Sequence, residues 1–203
     1  MRIARFALAT LGLLAAAVTL PTLGRAAVTF YDNEAAFTAA SGATLQANFD
    51  SDGPGPVPNF SSGSLSFVAW AGGLYILPPG STDSFPLTTT PALAANGDED
   101  ILVQFTHGLG QAIGFDAVTN RYDMPQVQVL DANDGVLATF PAGIAPNTAG
   151  FVGIVSTTPF KSVRWTADRG RIQDTYLDNV RASTALATPA AKSTWGRIKQ
   201  LYR

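Results

Sequence analysis

Short segments in which apolar and polar residues alternate run through the middle of the sequence, and this pattern constrains the fold more than any other feature. Val127 and Val129, for example, alternate with Gln126 and Gln128. A period of two turns the valines to the inner face of a strand and the glutamines to the outer face. Residues 131–135 follow with the Asp, Asn and Gly residues of a tight hairpin turn. The pattern therefore predicts strands with one buried face.

Similar segments recur along the chain, separated by turn residues. The predicted strands are Val28–Tyr31, Thr44–Phe49, Ser64–Trp70, Leu74–Leu77, Ile101–Thr106, Gln111–Thr119, Gln126–Leu130, Val136–Phe140, Phe151–Ser156, Ser162–Thr166 and Thr175–Arg181. Residues 50–63 and 78–100 are predicted as long irregular connections. The sequence thus predicts an all-β fold, a two-sheet β-sandwich of the jelly-roll type.

One short segment near the N-terminus has the features of a helix instead. Asp32 or Asn33 can cap it, a run with several alanines follows, and Ser41-Gly42 can end it. We expect Phe37, in the middle of this helix, to pin it to the sheet.

The first 26 residues have the three parts of a secretory signal peptide. Arg2 and Arg5 precede an uncharged, mostly apolar run from Phe6 to Leu20, and Ala26 precedes the expected cleavage site. A membrane anchor is less favoured, because about 15 apolar residues are fewer than the roughly 20 that span a bilayer. We therefore expect a protein that is secreted or held at the cell surface, with no transmembrane span in its mature chain.

The remaining chain divides into three predicted parts. Residues 27–181 form the sandwich domain, residues 182–193 a flexible linker, and residues 194–203 a short basic helix. The functional candidates of this tail are Trp195, Arg197, Lys199 and Arg203. Three roles stay open for it: a sorting or attachment signal read by the export and sorting machinery, an interfacial membrane helix, or a frayed end.

The charge of the predicted sandwich domain limits its partners. All 15 acidic residues of the chain lie within it, against six of the 13 basic residues. Nucleic-acid binding requires a basic surface, so this acidic domain argues against a nucleic-acid partner. The chain also has no cysteine, which excludes thiol catalysis and cysteine zinc sites.

Several short motifs follow one another along the predicted domain. They include Asn48-Phe49-Asp50, Ala112-Ile113-Gly114-Phe115-Asp116, Gly150-Phe151-Val152-Gly153-Ile154, Ser162-Val163-Arg164-Trp165-Thr166 and Leu177-Asp178-Asn179-Val180. Their order resembles that of PEP-CTERM-type proteins exported by bacteria. The resemblance covers most of the domain and implies an exported jelly roll, usually of undefined activity. The C-terminus departs from the family, because the acid and the apolar span of its sorting tail are missing.

The resemblance also implies one cofactor, a structural calcium ion. In jelly rolls of this kind the first and last strands lie side by side, and an acid from each can hold the ion together with loop carbonyls. Carried over to this chain, the acids are Asp50 and Asp178, with Asp52 and Asn179 as further candidate ligands. The alternative is that the acids before Gly53-Pro54 belong to an ordinary turn.

Aromatic residues near the long connections are candidates for a carbohydrate-binding platform, because their rings can stack on the apolar faces of sugars. They are Phe60, Trp70, Tyr75 and Tyr122. The alternative for each ring is packing in the core, where a sandwich buries most of its aromatic residues.

No residue is assigned a catalytic role. His107 is the only histidine; it precedes Gly108 in a turn context, and the chain lacks a Gly-x-Ser-x-Gly motif. We predict a non-enzymatic β-sandwich protein with a structural, adhesive or extracellular-matrix role. The alternative is a carbohydrate-binding module for extracellular polysaccharide, and a hydrolase is the least favoured class. Polysaccharide or cell-envelope components are the expected partners.

Overall fold

The structure, a computed structural model, describes residues 27–69, 72–80, 88–96, 100–119, 125–145, 147–166 and 175–187. These residues form one helix, α1 (Glu34–Ser41), and fourteen strands. The strands are β1 (Val28–Tyr31), β2 (Thr44–Ala47), β3 (Gly55–Val57), β4 (Phe60–Ser62), β5 (Leu65–Ala69), β6 (Gly73–Leu77), β7 (Ala92–Asn96), β8 (Ile101–Phe105), β9 (Gly110–Thr119), β10 (Gln126–Leu130), β11 (Val136–Pro141), β12 (Ala149–Phe160), β13 (Ser162–Thr166) and β14 (Thr175–Ser183).

The strands form two antiparallel sheets. The larger sheet has eight strands in the order β1-β12-β9-β14-β7-β6-β3, with β2 also paired to β14. The smaller sheet has six strands in the order β11-β10-β13-β8-β5-β4. The predicted two-sheet β-sandwich is confirmed. Within the described ranges, no helix has the length and hydropathy that a bilayer-spanning segment needs.

The main hydrophobic core lies between the two sheets and is built by alternation. Val127 and Val129 are fully buried, whereas Gln126 is exposed. Trp165 of the smaller sheet meets Phe115 of the larger sheet edge to face, with ring centroids 5.5 Å apart. This geometry adds to the stabilisation from burial alone. The inward facing predicted for the two valines is therefore confirmed.

Helix α1 packs on the outer face of the larger sheet, the face turned away from the smaller sheet. Asn33 caps the helix by accepting a hydrogen bond from the Ala36 N–H at 3.0 Å, and Gly42 ends it in the left-handed conformation, with φ of 63°. Phe37 is fully buried against β9 and β12, beside Phe151. As expected from the sequence, Phe37 pins the helix to the sheet.

A pair of glycines makes room for this helix. Gly114 of β9 and Gly153 of β12 are register partners. A Cβ atom on Gly114 would lie 2.8 Å from the Phe37 ring, and one on Gly153 would lie 2.7 Å from it. Atoms in folded proteins do not approach so closely, so a side chain at either position would push α1 away from the sheet. The two glycines form the floor on which Phe37 lies.

Three strands lie in segments that the sequence predicts as irregular. β3 and β4 fall within residues 50–63, and both occupy sheet edges, where glycine and proline are tolerated. β7 falls within residues 78–100 and consists largely of alanine, which has a low strand propensity. Its pairing with β6 and β14 overrides that propensity. The prediction of two fully irregular connections is wrong for these residues.

The folded domain extends beyond residue 181, where the sequence places its end. β14 continues to Ser183, and Ala182 is buried. Leu186 packs beside α1, and its N–H donates a hydrogen bond to the side-chain oxygen of Gln111 at 3.3 Å. The start of the predicted linker therefore belongs to the sandwich. The signal peptide and the tail helix lie outside the described residues.

β1 begins and β14 ends at the same end of the larger sheet. Val28 of β1 pairs with Ser156 of β12. Ser183 of β14 pairs with Ala112 of β9, which in turn pairs with Val155 of β12. Residues 28 and 183 therefore lie within about one residue of the same level along the strands.

Candidate functional site

The larger sheet divides at Asp178 and Asn179 of β14, and we call this point the fork. On one side of β14, β7 pairs with Tyr176 and Leu177, whereas β2 pairs with residues 180–182. Between these two neighbours, Asp178 and Asn179 have no paired strand on that side among the described residues. The register with β9 shifts at the same point, and Asn179 has a φ of 48°. Asparagine tolerates this left-handed conformation because its side chain can bond locally.

Hydrogen bonds connect the side chains at the fork. Asp178 accepts one from the Thr90 hydroxyl at 2.5 Å and another from the N–H of Asn179 at 2.6 Å. The Asn179 amide donates to Asp116 at 2.8 Å and to Asp178 at 3.2 Å. The two acids are register partners on adjacent strands. One amide therefore connects both carboxylates, and the arrangement of the fork is fixed before any ligand arrives.

Arg181 connects the fork to α1. Its guanidinium group lies 2.6 Å from the Glu34 carboxylate and 3.9 Å from that of Asp116. It also donates a hydrogen bond to the backbone carbonyl of Asn179 and lies 5.9 Å from the centre of the Phe151 ring. These contacts hold the left-handed backbone of Asn179 and join it to the helix.

Burial raises the pKa of both acids at the fork. For Asp116 and for Asp178 the largest cause is the loss of water around the charged form. Hydrogen bonds lower the pKa of each, from Asn179 to Asp116 and from Thr90 and the Asn179 N–H to Asp178, and the positive charge of Arg181 lowers the pKa of Asp116 further. Nearby negative charge raises it again, from Glu34 on Asp116 and from Asp116 and Asp50 on Asp178. Acids perturbed in this way are typical of functional sites.

A cleft opens beside the fork on the outer face of the larger sheet, with a volume of about 330 Å³. Its polar wall is formed by Thr90, Asp116, Asp178 and Asn179. Its other wall includes Ala92, Val118, Ala149 and Tyr176. Small-molecule sites begin at about this size and combine apolar surface with a few placed polar groups. The cleft is therefore the candidate ligand site.

A row of side chains continues from the cleft across the same face. Val118, Tyr176, Ala94 and Tyr75 are successive register partners on β9, β14, β7 and β6. Neighbouring strands are about 4.8 Å apart, so Tyr75 is roughly 10 Å from Tyr176 across the sheet. Tyr75, which the sequence nominates for ligand binding, thus lies on the face that carries the cleft and is half-buried there.

The nominated metal ligands are only partly brought together. β2 pairs with β14, as the resemblance implies, and Asp50 is close enough for its charge to raise the pKa of Asp178. Asp52 instead lines a separate groove beside Phe60. Among the described residues, no three or more acidic, histidine or cysteine side chains are arranged to hold a metal ion. Asp178 and Asn179 lie at the fork, and the calcium ion stays a prediction.

Phe60 follows the core-packing alternative. Its ring lies 5.1 Å from that of Phe49 and 5.6 Å from that of Phe67, centroid to centroid. His107 is exposed in the turn between β8 and β9. The other nominated residues, Trp70, Tyr122, Trp195, Arg197, Lys199 and Arg203, lie outside the described residues.

Sequence reasoning missed Thr90, Asp116 and Tyr176 as site residues. Tyr176 could have been found, because strand alternation places it on the same face as Asp178 and opposite the buried Leu177. Thr90 and Asp116 could not, because they reach the fork only through the pairing of strands that are distant in sequence.

Comparisons with known proteins identify no family. No protein-family model matches the chain, and no curated protein matches it significantly, so the PEP-CTERM resemblance stays a prediction. Among solved structures, the chain is similar to a variant of a family 29 carbohydrate-binding module, with 12% identity and a TM-score of 0.37 over 70% of this chain and 92% of the other.

Two further variants of that module were solved with mannohexaose and with cellulohexaose. Both align with 15% identity and a TM-score of 0.36, over 70% and 80% of this chain and 93% and 94% of theirs. Scores this low assign neither a ligand nor an activity to this chain. The fold of this protein, as its own strand order shows, is a two-sheet β-sandwich.

Proposed function

We propose that the protein is a non-catalytic β-sandwich that binds extracellular polysaccharide, and that the cleft is its binding site. The observation that carries the proposal is the cleft itself, in which polar groups at the fork lie beside apolar residues within about 330 Å³. A sugar presents the same combination, with hydroxyl groups on its rim and C–H groups on its ring faces.

The polar wall offers hydrogen-bond acceptors to sugar hydroxyls. Asp116 and Asp178 accept hydrogen bonds when ionised, and the Asn179 and Thr90 side-chain oxygens can accept as well, because the donor hydrogens of these two side chains already bind the acids. Hydrogen bonds to a carboxylate are about twice as strong as those between neutral groups. The fork can therefore orient a bound sugar through its hydroxyl groups.

The apolar surface supplies the remaining contact. Val118 and Ala149 line the cleft, and Tyr176 and Tyr75 continue the row on the same face. Val118 and Tyr176 are largely buried, so the accessible apolar surface consists mainly of the exposed Ala149 and the half-buried Tyr75. Such side chains can pack against the C–H faces of a pyranose ring.

Pre-organisation favours binding at this position. The hydrogen bonds at the fork and the contacts of Arg181 fix the polar groups in the free protein. Binding then loses little side-chain entropy, which for a mobile side chain amounts to about 0.5–1.5 kcal/mol. We place the protein among binding proteins rather than hydrolases, because the Asn179 amide lies between the two carboxylates and donates a hydrogen bond to each.

The proposal is tested by blocking the cleft. Ala149 is exposed and lines it, so Ala149→Trp fills the cleft while leaving the core untouched. The matched control is Ala132→Trp in the exposed hairpin turn of the smaller sheet. Isothermal titration calorimetry against neutral oligosaccharides and polysaccharides should detect binding by the wild type and the control, with at least about tenfold weaker binding by Ala149→Trp. Absence of binding to every glycan, or equal binding by Ala149→Trp, contradicts the proposal.

A structural calcium ion near the fork is a second proposal. It is supported by the pairing of β2 with β14 and by the effect of the Asp50 charge on Asp178. A site with a dissociation constant of about 1 mM, in the range of extracellular modules, stabilises the fold by about 1.4 kcal/mol at about 10 mM calcium. Thermal melting in calcium and in chelator should differ for the wild type and not for Asp50→Asn. Identical melting of the wild type in both conditions contradicts this proposal.

A further inference from the structure

We propose that the cleft selects uncharged sugars and rejects glycans whose sugar units carry carboxylate or sulfate groups. This inference rests on the proposed carbohydrate-binding function and specifies the ligand class of the same cleft. It follows from the balance of charges around the polar wall and from how the nearby cation is held.

Negative charge surrounds the polar wall of the cleft. Asp116 and Asp178 line it directly. Glu34 and Asp50 lie close enough that their charges act on these two acids. An anionic group entering the cleft would therefore meet like charges at short range in a partly buried place, where water screens them poorly.

Arg181 is the described basic residue at the fork, and its guanidinium group is already engaged. It pairs with Glu34, lies 3.9 Å from Asp116 and partly offsets the charge of that acid, donates to the backbone carbonyl of Asn179 and lies over the Phe151 ring. To bind an anionic ligand it would have to leave these partners and release the left-handed backbone of Asn179. It therefore positions the fork and is not available as a counter-ion.

The other basic residues within the described ranges lie on the smaller sheet or in the turn that leads into it. Lys161 pairs with Asp134 at 2.8 Å, and Arg164 pairs with Asp100. Neither contributes to the cleft on the opposite face of the sandwich. The described surroundings of the cleft thus favour a ligand without negative charge.

Uncharged hydroxyl groups, by contrast, can donate hydrogen bonds to the acids of the polar wall. An ionised carboxylate can accept about four hydrogen bonds. Asp116 accepts one at 2.8 Å from Asn179 and its side chain is 40% exposed. Asp178 is largely buried and accepts three, one from the Thr90 hydroxyl and two from Asn179. Accessible acceptor capacity therefore remains chiefly on Asp116, where sugar hydroxyls can donate to it. Exchange of a hydroxymethyl group for a carboxylate removes such a donor and adds a repelled charge.

The experiment uses the full chain and two matched pairs of oligosaccharides. β-1,4-linked mannohexaose is compared with the β-1,4-linked hexamer of mannuronic acid, and cellohexaose with the corresponding hexamer of glucuronic acid. Within each pair the backbone is the same and only the group at C6 changes. Calorimetry at neutral pH and low salt, with a chelator present so that no bound calcium offsets the acids, should show that the neutral member of the bound pair binds at least about tenfold more tightly.

Substitutions in the cleft and changes in salt concentration test whether this difference in affinity arises at the cleft. Asp116→Asn and Asp178→Asn keep the side-chain shape and should narrow the preference several-fold. Asp134→Asn is the matched control, because Asp134 is exposed on the other sheet and asparagine suits its φ of 63°. High salt, which shortens the screening length from about 10 Å at 0.1 M to about 3 Å at 1 M, should narrow the preference of the wild type as well.

The outcomes separate this inference from the proposed function. Equal or tighter binding of the uronic acid hexamers overturns the selectivity and leaves carbohydrate binding in place. A preference that neither salt nor the two cleft variants change also overturns it, since the charges of the cleft would not be its cause. Absence of binding to all four hexamers and to the wider neutral panel overturns both proposals.

Discussion

The outer face of the larger sheet carries a helix at one end and the cleft at the other, although the same strands form both ends. At the covered end, Phe37 of α1 lies on Gly114 of β9 and Gly153 of β12. A few residues further along these strands, Val118 and Ala149 occupy the same face and line the cleft. The absence of side chains at the two glycines lets the helix dock, whereas Val118 and Ala149 carry side chains where the cleft lies.

Arg181 stands at the boundary of these two regions. It binds Glu34 of the helix on one side and the Asn179 carbonyl of the fork on the other. Apolar packing stabilises the region under the helix, whereas hydrogen bonds and charge stabilise the region around the cleft. The two regions should therefore respond differently to substitution, to salt and to pH.

The largest expected effect on stability comes from removing the ring that holds α1 on the sheet. Phe37→Ala removes a fully buried ring and should lower the free energy of unfolding by about 3–5 kcal/mol, since the sheet and helix cannot close the cavity completely. Urea denaturation measures this loss. The affinity of the cleft in the folded protein should change little.

A matched control is Leu45→Ala, which removes an exposed apolar side chain and should change stability by no more than about 0.5 kcal/mol. A loss for Phe37→Ala as small as that of the control would show that the helix is not held by this ring.

An intermediate effect is expected at the boundary. Arg181→Met keeps much of the side-chain volume beside Phe151 but removes the bonds to Glu34 and to the Asn179 carbonyl. We expect a loss of about 2 kcal/mol, because hydrogen bonds from a charged group are stronger than neutral ones and Glu34 is half exposed. Unlike Phe37→Ala, this variant should also weaken glycan binding.

Lys161→Met is the comparison for this variant. The ion pair of Lys161 with Asp134 is exposed and should contribute less than about 1 kcal/mol. Equal losses of unfolding free energy in the two variants, or unchanged glycan affinity in Arg181→Met, would show that Arg181 does not connect the helix to the fork.

The smallest expected effect arises at Asp116, beside the cleft, and is a pH dependence of the free energy of unfolding. The pKa of Asp116 is raised above 3.8 in the folded protein, so the folded state binds this proton more tightly than the unfolded chain. Its ionised form therefore opposes folding at neutral pH, and this opposition fades as the pH falls through the raised pKa.

Asp116→Asn removes this dependence. The unfolding free energy of the wild type should rise relative to that of the variant as the pH falls from neutral toward the raised pKa, by less than about 1 kcal/mol because Asp116 is 40% exposed. Urea denaturation of both proteins at several pH values measures it. A difference in unfolding free energy between the wild type and Asp116→Asn that stays constant across this pH range would contradict the raised pKa.

The sequence predicts the sandwich well because alternation is a local signal. The burial of Val127 and Val129, the helix capped by Asn33 and the role of Phe37 all follow from residues close to one another in the chain. β7 was missed because alanine gives no such signal, and only its neighbours in the sheet make it a strand.

The candidate site could be predicted only in part, for a related reason. Asp178 and Asn179 were nominated through a resemblance, but their partners come from distant segments. Asp116 faces Asp178 through the register of β9 and β14, and Thr90 reaches it just before β7 begins. The division of the sheet between β2 and β7 depends on three strand pairings at once, which no local pattern encodes.

The shared end of β1 and β14 determines how the cleft would be displayed on a surface. Residues 28 and 183 lie near the level of Ala112, whereas Val118 lines the cleft six residues further along β9. At about 3.3 Å per residue, this separation is roughly 20 Å along the strand. A tether joined to either of these strand ends would therefore hold the cleft roughly 20 Å from the point of attachment, on a side of the upright sandwich.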